Sequence, residues 1–389
     1  MNGDDMNRQS VSPDFISRRY DLAVIGAGPA GASAAIHAAR AGASVILLEQ
    51  SHFPRHKVCG EFVSHESLAL LRTILGGDNR LISASPRIDN SRLFIDGRCI
   101  PLQIDPPAAS IPRYSLDEAL WKAALGLGID CRDRTTVTAI ENGRNTFLLH
   151  TSQATLHARA VINATGRWSR LPRTALQQAF SNQREKWVGL KAHFNETEAP
   201  QSVDLYFFAG GYCGVQPVSA DRVNACAMVR ADIANTLDQV FARHPDLAAR
   251  VSRWKLATEP VTTAPLLFAP IQPVENGVLF AGDAAGFVDP FTGDGISLAL
   301  HSGTLAAQSL QGFFAGTTAL ESALADYRQA YNSELLAIHH AAARFRRVLS
   351  LPRIARSPIL HALKVPAIGR WAVSSTRGRS KAAHAEVTG

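Results

Sequence analysis

The 389-residue chain predicts an α/β fold: a parallel sheet flanked by helices, interrupted by a β-rich insertion and closed by C-terminal helices. Three observations carry this expectation. Tyr20 to Leu48 reads as strand, glycine turn, alanine-rich helix and strand, the pattern of a βαβ unit. Lys186 to Val229 changes to consecutive strand-like runs, which suggests an antiparallel sheet. From Leu320 onward the chain has helical character until Pro352 and Pro358 interrupt it.

In order along the chain, Tyr20–Ile25 is a short buried strand, Ala30–Ala41 a helix, and Val45–Leu48 a second strand. Ser115–Leu127 is a helix, with Leu116, Ala119, Leu120 and Ala123 at helical spacing. Strands follow at Val137–Ile140, Thr146–His150 and Ala160–Asn163. The insertion carries Val188–Phe194, Val203–Phe208, Tyr212–Val215 and Val223–Val229. Gly277–Ala281 returns as a buried strand, and Ile296–Leu310 begins a long helix.

Length and composition fit two globular parts, with an apolar fraction of 46% and a charged fraction of 19%. Five cysteines (Cys59, Cys99, Cys131, Cys213, Cys226) form neither a CxxC pair nor a metal-ligand spacing. His52, His56 and His65 match no zinc motif either, and His339-His340 read as surface residues. An odd cysteine count, without an apolar core in the first 19 residues, implies mostly buried thiols in a reducing, cytoplasmic setting. No apolar run reaches the roughly 18 residues of a membrane span. The net charge of +7 is local: His340–Gly389 carries ten Lys/Arg against Glu386 alone. With no basic aromatic sheet beside that charge, nucleic acid is not an expected partner.

Chemistry enters with Asp21–Gly31, DLAVIGAGPAG, where Gly26, Gly28 and Gly31 have G-x-G-x-x-G spacing between strand and helix. Gly26 permits a tight turn, Gly28 lets backbone approach a pyrophosphate, and Gly31 lets helix and strand pack closely. The helix that starts at Pro29-Ala30 presents free N–H groups from Ala30 onward to phosphate. Glu49 ends the next strand, where a carboxylate accepts from ribose hydroxyls and repels a 2′-phosphate. The ligand so implied is FAD or NAD.

The run Val278–Leu300, VLFAGDAAGFVDPFTGDGISLAL, resembles the second FAD fingerprint of the p-hydroxybenzoate hydroxylase-like flavoprotein superfamily. The resemblance covers residues 20 to 310 and implies FAD. By its pattern Asp283 binds the ribityl chain, while Pro290, Gly293, Gly295 and Ile296 form the turn and helix start at the isoalloxazine. It further implies that Arg113 contacts the cofactor and that Val137 flanks the adenine. The superfamily's middle Asp-Gly pair is replaced by Thr165-Gly166, with Ser169 retained. No second glycine motif is present, so electrons are expected from visiting NAD(P)H or a reductase partner.

Within the superfamily the chain is most similar to geranylgeranyl reductase-like proteins. Phe53–Glu61, FPRHKVCGE, resembles their loop beside the flavin, which puts Arg55, Val58 and Gly60 at the cofactor and Cys59 at the reacting face. Gly286 stands where aromatic hydroxylases show histidine. Gly211–Pro217, GYCGVQP, keeps Tyr212 and Pro217 of the reductases' substrate strand but replaces two aromatics by Gly214 and Gln216. Gly214 would then open space over the flavin or serve backbone packing. The tryptophans of flavin halogenases are absent from this strand. Cys59 and Tyr212 are thus the catalytic candidates.

The function expected is hydride transfer from reduced flavin to a carbon–carbon double bond of a lipophilic molecule. Two alternatives stay open: a monooxygenase hydroxylating an aromatic or polyketide substrate through a flavin hydroperoxide, and an electron-transfer flavoprotein linked to quinone. The expected organisation is a flexible tail (1–19), a discontinuous FAD-binding domain (20–85, 110–170, 275–312), a substrate-binding domain (86–109, 171–274) and a C-terminal helical region with basic tail (313–389). Cations interleaved with Ile359, Leu360, Leu363, Ile368 and Trp371 offer a peripheral membrane contact, against a competing reading as helices packed on the body.

Overall fold

The computed structural model describes residues 19–77, 79–143, 145–167, 171 and 186–375. Strand β1 (Arg19–Ile25) leads through a glycine turn into helix α1 (Pro29–Arg40) and then β2 (Val45–Leu48). Next come β3 (Phe62–Val63), α2 (His65–Leu75), α3 (Arg80–Ser83), β4 (Arg87–Ile95), β5 (Arg98–Ser110) and α4 (Arg113–Gly126). Strands β6 (Asp130–Arg132), β7 (Val137–Asn142), β8 (Phe147–Thr151) and β9 (Thr155–Asn163) follow. The insertion holds β10 (Trp187–Asn195), β11 (Ser202–Phe208), β12 (Gly211–Ser219), β13 (Arg222–Arg230), α5 (Leu237–Phe241), α6 (Pro245–Val251), β14 (Lys255–Leu256) and β15 (Val261–Leu266). The chain closes with β16 (Val274–Glu275), β17 (Val278–Phe280) and helices α7 (Gly295–Ser309), α8 (Gln311–Phe314), α9 (Leu320–Glu334), α10 (Leu336–Ser350), α11 (Arg353–Ala362) and α12 (Pro366–Ser375).

Two sheets organise the described residues. The first runs β16-β17-β9-β1-β2-β6, with hairpin β7–β8 attached to β9. Its β17–β9, β9–β1, β1–β2 and β2–β6 pairs are parallel. Helices cover such a sheet on both faces, so Leu22–Ile25 of β1 and all of β2 read as unbroken apolar runs; all four residues of β2 are buried. Alanines along α1 keep its surface low, and α7 packs against it so closely that a Cβ on Gly303 would lie 2.1 Å from the Ala30 carbonyl oxygen.

The second sheet runs β14-β10-β13-β12-β11-β4-β5-β3, with β15 on β10. It is antiparallel except for the parallel β11–β4 pair. Alternation along β10 sends Val188, Leu190, Ala192 and Phe194 into a core with Leu237, Val240 and Leu247 of α5 and α6. The intervening Gly189, Lys191 and His193 belong to the opposite face. That parity places polar groups toward the first sheet.

Several expectations need correction. The β4–β5 hairpin, in residues read only as insertion, forms a long ribbon against β11. Pro358 does not interrupt the chain but lies inside α11, whereas Pro352 does mark a boundary. His339 is buried, not at the surface: its Nε2 is 3.0 Å from Tyr331 Oη, and burial lowers its pKa to about 4. Among the cysteines, Cys99 is exposed and Cys213 alone is fully buried. Leu360 and Leu363 pack on the body with Ile95, Ile100 and Leu102, so they do not form an outward apolar face with Ile359. Burying a leucine this way stabilises by about 1.5–3 kcal/mol, which favours the packed-helix reading of α11.

Candidate functional site

A cavity of about 700 Å³ lies between the two sheets. Seventeen of the eighteen expected site residues line it: Gly26, Gly28, Pro29, Ala30, Glu49, Arg55, Val58, Cys59, Gly60, Arg113, Val137, Tyr212, Asp283, Pro290, Gly293, Gly295 and Ile296. Gly31 lies behind them, where a Cβ would stand 1.8 Å from the Gly26 carbonyl oxygen. Gly26 has φ +96°, and its Cβ would meet the Ala164 carbonyl at 2.5 Å. Gly28 is different: a Cβ would meet only Arg113 Nη2, at 3.6 Å, so the position leaves room beside a guanidinium. Gly28 caps α1 without a side-chain acceptor, and no acid stands in the first turn. The helix therefore offers unopposed N–H groups and a positive dipole end.

Around this turn runs a buried charge network. Glu49 Oε2 accepts from the Ala27 amide at 3.0 Å and from Arg55 Nη2 at 3.1 Å, while Oε1 accepts from the Ser51 amide at 3.0 Å. Arg55 Nη1 reaches Asp117 Oδ2 at 2.6 Å, and Arg113 grips the same carboxylate through Nε at 2.7 Å and Nη2 at 2.8 Å. Burial alone would raise both carboxyls. For Glu49 the guanidinium of Arg55 and two amides outweigh it, and for Asp117 Arg113 and Arg55 do, so both stay ionised. Asp117 was missed in the sequence, although its four-residue spacing from Arg113 on a helix was the available signal.

The second motif forms the cavity's other end. Asp283 lies in a single 3-10 turn, Gly282–Ala284, with Arg167 Nε 3.4 Å away. Burial raises its carboxyl against the pull of Arg167 and Arg113. Ser302 Oγ occupies the Gly282 amide at 2.8 Å and fixes that turn. Gly293, at φ +79°, sits where a Cβ would be 2.8 Å from the Phe62 ring, and Gly295 opens α7 with free space around it. Thr165, at the altered Asp-Gly position, gives its hydroxyl to Asn163 Oδ1 at 2.7 Å. Ser169 lies outside the described residues.

The facing wall belongs to the second sheet and was largely invisible in the sequence. Glu61 is fully buried with φ +65°, a conformation that costs a non-glycine residue of order 1 kcal/mol or more. Its carboxylate repays that strain. Oε1 accepts from Lys191 Nζ and, at 2.9 Å, from the Arg113 amide; Oε2 is 2.8 Å from His193 Nε2. His193 and Lys191 hold the carboxyl below its ordinary value despite burial, which acts the other way. Asn224, beside His193 in register, donates from Nδ2 to the Cys59 and Gly60 carbonyls, each at 3.0 Å. Cys59 Sγ accepts from the Glu61 amide at 3.3 Å, and the Arg113 guanidinium faces the same thiol. The loop carrying Cys59 is thus fastened from beneath by side chains of β10 and β13. Lys191 and His193 share strand parity, and that two-residue spacing was the usable signal.

Tyr212 is buried, and burial with the nearby Asp289 carboxylate raises its hydroxyl well above the ordinary range. Gly214 does not open the cavity; a Cβ there would press on Leu205 Cδ2 at 3.3 Å, so the packing explanation holds. Gln216 Nε2 donates to Ser110 Oγ at 2.5 Å within the sheet.

Residues 19–345 match the family described as "FAD binding domain". Conditioned medium factor receptor 1 of Dictyostelium discoideum is 27% identical over 75% of this chain, which spans only 63% of that protein's length. Menaquinone reductase of Mycolicibacterium smegmatis is 28% identical over 87% of this chain and 86% of its own. Digeranylgeranylglycerophospholipid reductase of Methanoculleus marisnigri is 30% identical over 80% and 81%. Among solved structures, a geranylgeranyl bacteriochlorophyll reductase-like protein from Thermoplasma acidophilum superposes with TM-score 0.75 at 20% identity, covering 92% of this chain and 96% of that one. The flavin-dependent brominase Bmp2 also gives 0.75, at 19% identity and 92% and 93% coverage. At such identities both show the shared fold.

Proposed function

The chain belongs to the FAD binding domain family, and from that premise we propose that it is an FAD-dependent oxidoreductase reducing a carbon–carbon double bond in a lipophilic compound. One observation carries the reading: a single cavity joins the α1 amides and the Asp283 turn to a facing wall that presents Cys59 and Tyr212. Its volume falls within the about 300–1,000 Å³ of small-molecule and cofactor sites, and the space at Gly28 beside Arg113 suits a pyrophosphate. In this reading Gly26, Gly28, Pro29 and Ala30 receive the pyrophosphate, while Glu49, Arg55 and Val137 receive the adenosine. Arg113 and Asp283 hold the middle of the cofactor; Val58, Gly60, Pro290, Gly293, Gly295 and Ile296 border the isoalloxazine.

When bound, the reduced isoalloxazine supplies hydride. The chain supplies the proton and the orientation. Cys59 Sγ, fixed by the Glu61 amide and Arg113, holds the proton for the second carbon. Tyr212 stays neutral and shapes the opposite wall. Electrons reach the cofactor from NAD(P)H or a reductase that visits. The domain division given above is adopted with it, except that β3, within 20–85, joins the second sheet. Among the described residues no helix is long and apolar enough to cross a membrane. Peripheral contact is proposed instead through exposed Ile354, Val365, Ile368 and Trp371, interleaved with Arg353, Lys364 and Arg370.

The test is anaerobic stopped-flow of photoreduced enzyme mixed with prenylated lipids. The reading predicts flavin reoxidation by the lipid without oxygen. Reoxidation that requires oxygen, with oxygenated product, would transfer the site to monooxygenase chemistry. For the membrane contact, full-length protein should sediment with anionic vesicles more than a chain truncated after Ser350.

A further inference from the structure

Two of the five cysteines line the cavity between the sheets: Cys59 on the loop and Cys226 on β13. Strand parity aims Cys226 at that loop. Val223, Ala225, Ala227 and Val229 turn into the core under α5 and α6, so Asn224, Cys226 and Met228 belong to the face beneath the loop. The loop is pinned on both sides of Cys226. On one side Asn224 Nδ2 donates to the Cys59 and Gly60 carbonyls, each at 3.0 Å. On the other, Gly189 pairs with Met228 and lies so close to Val58 that an added Cβ would stand 2.9 Å from Val58 Cγ1. Cys226 is the residue of this face between those two anchors, so it lies beneath Val58 and Cys59.

The other thiols lack this setting. Cys213 packs in the core on the opposite face of the sheet, Cys131 lies in the first sheet, and Cys99 is exposed on β5. Cys59 borders a cavity that admits small molecules, and the Arg113 guanidinium facing its sulfur supplies a counter-charge to an anion there. Cys226 is its complement. Burial, and after it the neighbouring Cys59, pushes the Cys226 thiol up, so it keeps its proton and is not the first of the two to react. A reactive thiol beside a second, protonated one is the arrangement that captures a sulfenic acid as a disulfide.

We propose that Cys59 and Cys226 form a peroxide-sensitive pair, a modification site that switches off the proton supply at the reacting face. The Cys59 thiolate attacks one oxygen of hydrogen peroxide and the O–O bond breaks. Cys59 becomes a sulfenic acid, and the departing hydroxide leaves as water with the proton the thiol gave up. The sulfur of Cys226 then attacks that of Cys59. An S–S bond forms, the S–O bond breaks, and the sulfenic hydroxyl leaves with the Cys226 proton as a second water. Two thiols lose two electrons in all, and one peroxide gains them. Cys59 then has no proton to give until an external dithiol reduces the bond. The pair stands on geometry; its effect on turnover rests on the double-bond reductase reading.

The test treats FAD-loaded full-length protein with hydrogen peroxide in modest excess, blocks free thiols with N-ethylmaleimide and maps peptides by mass spectrometry without reduction. A Cys59–Cys226 linked peptide, lighter by two hydrogens, is expected, and dithiothreitol should restore both thiols. In Cys226→Ala the link should be absent and Cys59 should pass on to sulfinic acid, which dithiothreitol does not reverse. If that variant fails to fold, the map of the parent protein decides alone. Cys59 found as sulfinic acid in the parent while Cys226 stays free overturns the proposal, as does an intact Cys59 when exposed Cys99 is oxidised. Lipid-dependent flavin reoxidation should fall in proportion to the linked fraction and return on reduction; a linked pair with undiminished reoxidation overturns the switch. If lipid never reoxidises the flavin in untreated protein, the reductase reading fails while the peptide map still judges the pair.

Discussion

The two walls of the cavity are made of different materials. The nucleotide wall is backbone: glycines at 26, 28 and 31, helix amides and two carboxylates at strand ends. The facing wall is side chain: Glu61, Lys191, His193 and Asn224 fasten a loop to a sheet through buried charge. A backbone site demands fixed spacing, so it is written compactly in sequence. A side-chain site assembled from residues 61, 191, 193 and 224 demands only that the fold bring them together.

The largest effect expected from breaking the first wall is that of Gly31→Val. A Cβ at 1.8 Å from the Gly26 carbonyl cannot be relieved by a rotamer change, so no folded, yellow protein should accumulate. Recovery of FAD-loaded protein would contradict the packing described. In the second wall, Lys191→Met strands the Glu61 charge and should cost about 3–5 kcal/mol in chemical denaturation. Adding Glu61→Leu should recover part of that loss, because removing a whole buried pair is far less harmful than halving it. If the double variant is worse than the single, the wall is not held by this pair.

Smaller effects separate the walls by function. Glu49→Ala and Asp283→Ala should each weaken FAD binding by about tenfold to hundredfold, read by flavin release on dilution. Cys59→Ser should slow lipid-dependent flavin reoxidation while FAD content and KM stay near normal. Unchanged single-turnover kinetics would reduce Cys59 to packing.

The walls also differ in acid response. Glu61 is held below its ordinary 4.5 in the folded chain, so its stabilising contribution is complete above that value and is lost as pH falls through the lower folded one. Asp283 is raised above 3.8, so its contribution runs oppositely: present below 3.8 and lost as pH rises through the folded value. Glu61→Gln should therefore flatten the acid limb of stability against pH, and Asp283→Asn should not. The reverse pattern would contradict the assignment of ionised Glu61.

This contrast explains what could be read early. The βαβ start was legible because the positive φ of Gly26 and the close backbone approach at Gly31 leave little choice of residue. Asp283 and most of the other cavity residues were legible only through the family resemblance. Gly303 against Ala30 escaped notice, since a helix–helix approach needs one small residue and no motif. Asp117 was hidden in an apolar helical pattern, and Lys191 with His193 in a strand read only for its hydrophobic alternation. A proline in a helical pattern reads as a break, yet the helix continues through Pro358. Of the two readings of Gly214, open space and packing, its neighbour Leu205 favours packing.

The central claim is that these walls bring a reduced flavin and a lipid double bond together, with the chain supplying the proton. Mass spectrometry of the product from one anaerobic turnover in deuterated buffer tests it most directly. The account predicts a lipid that has gained two deuterium atoms, because the reduced flavin's N5 hydrogen exchanges with solvent as a thiol hydrogen does, with no oxygen added. A lipid recovered unchanged while the flavin is oxidised, or a product carrying a new oxygen atom only when air is admitted, would contradict it.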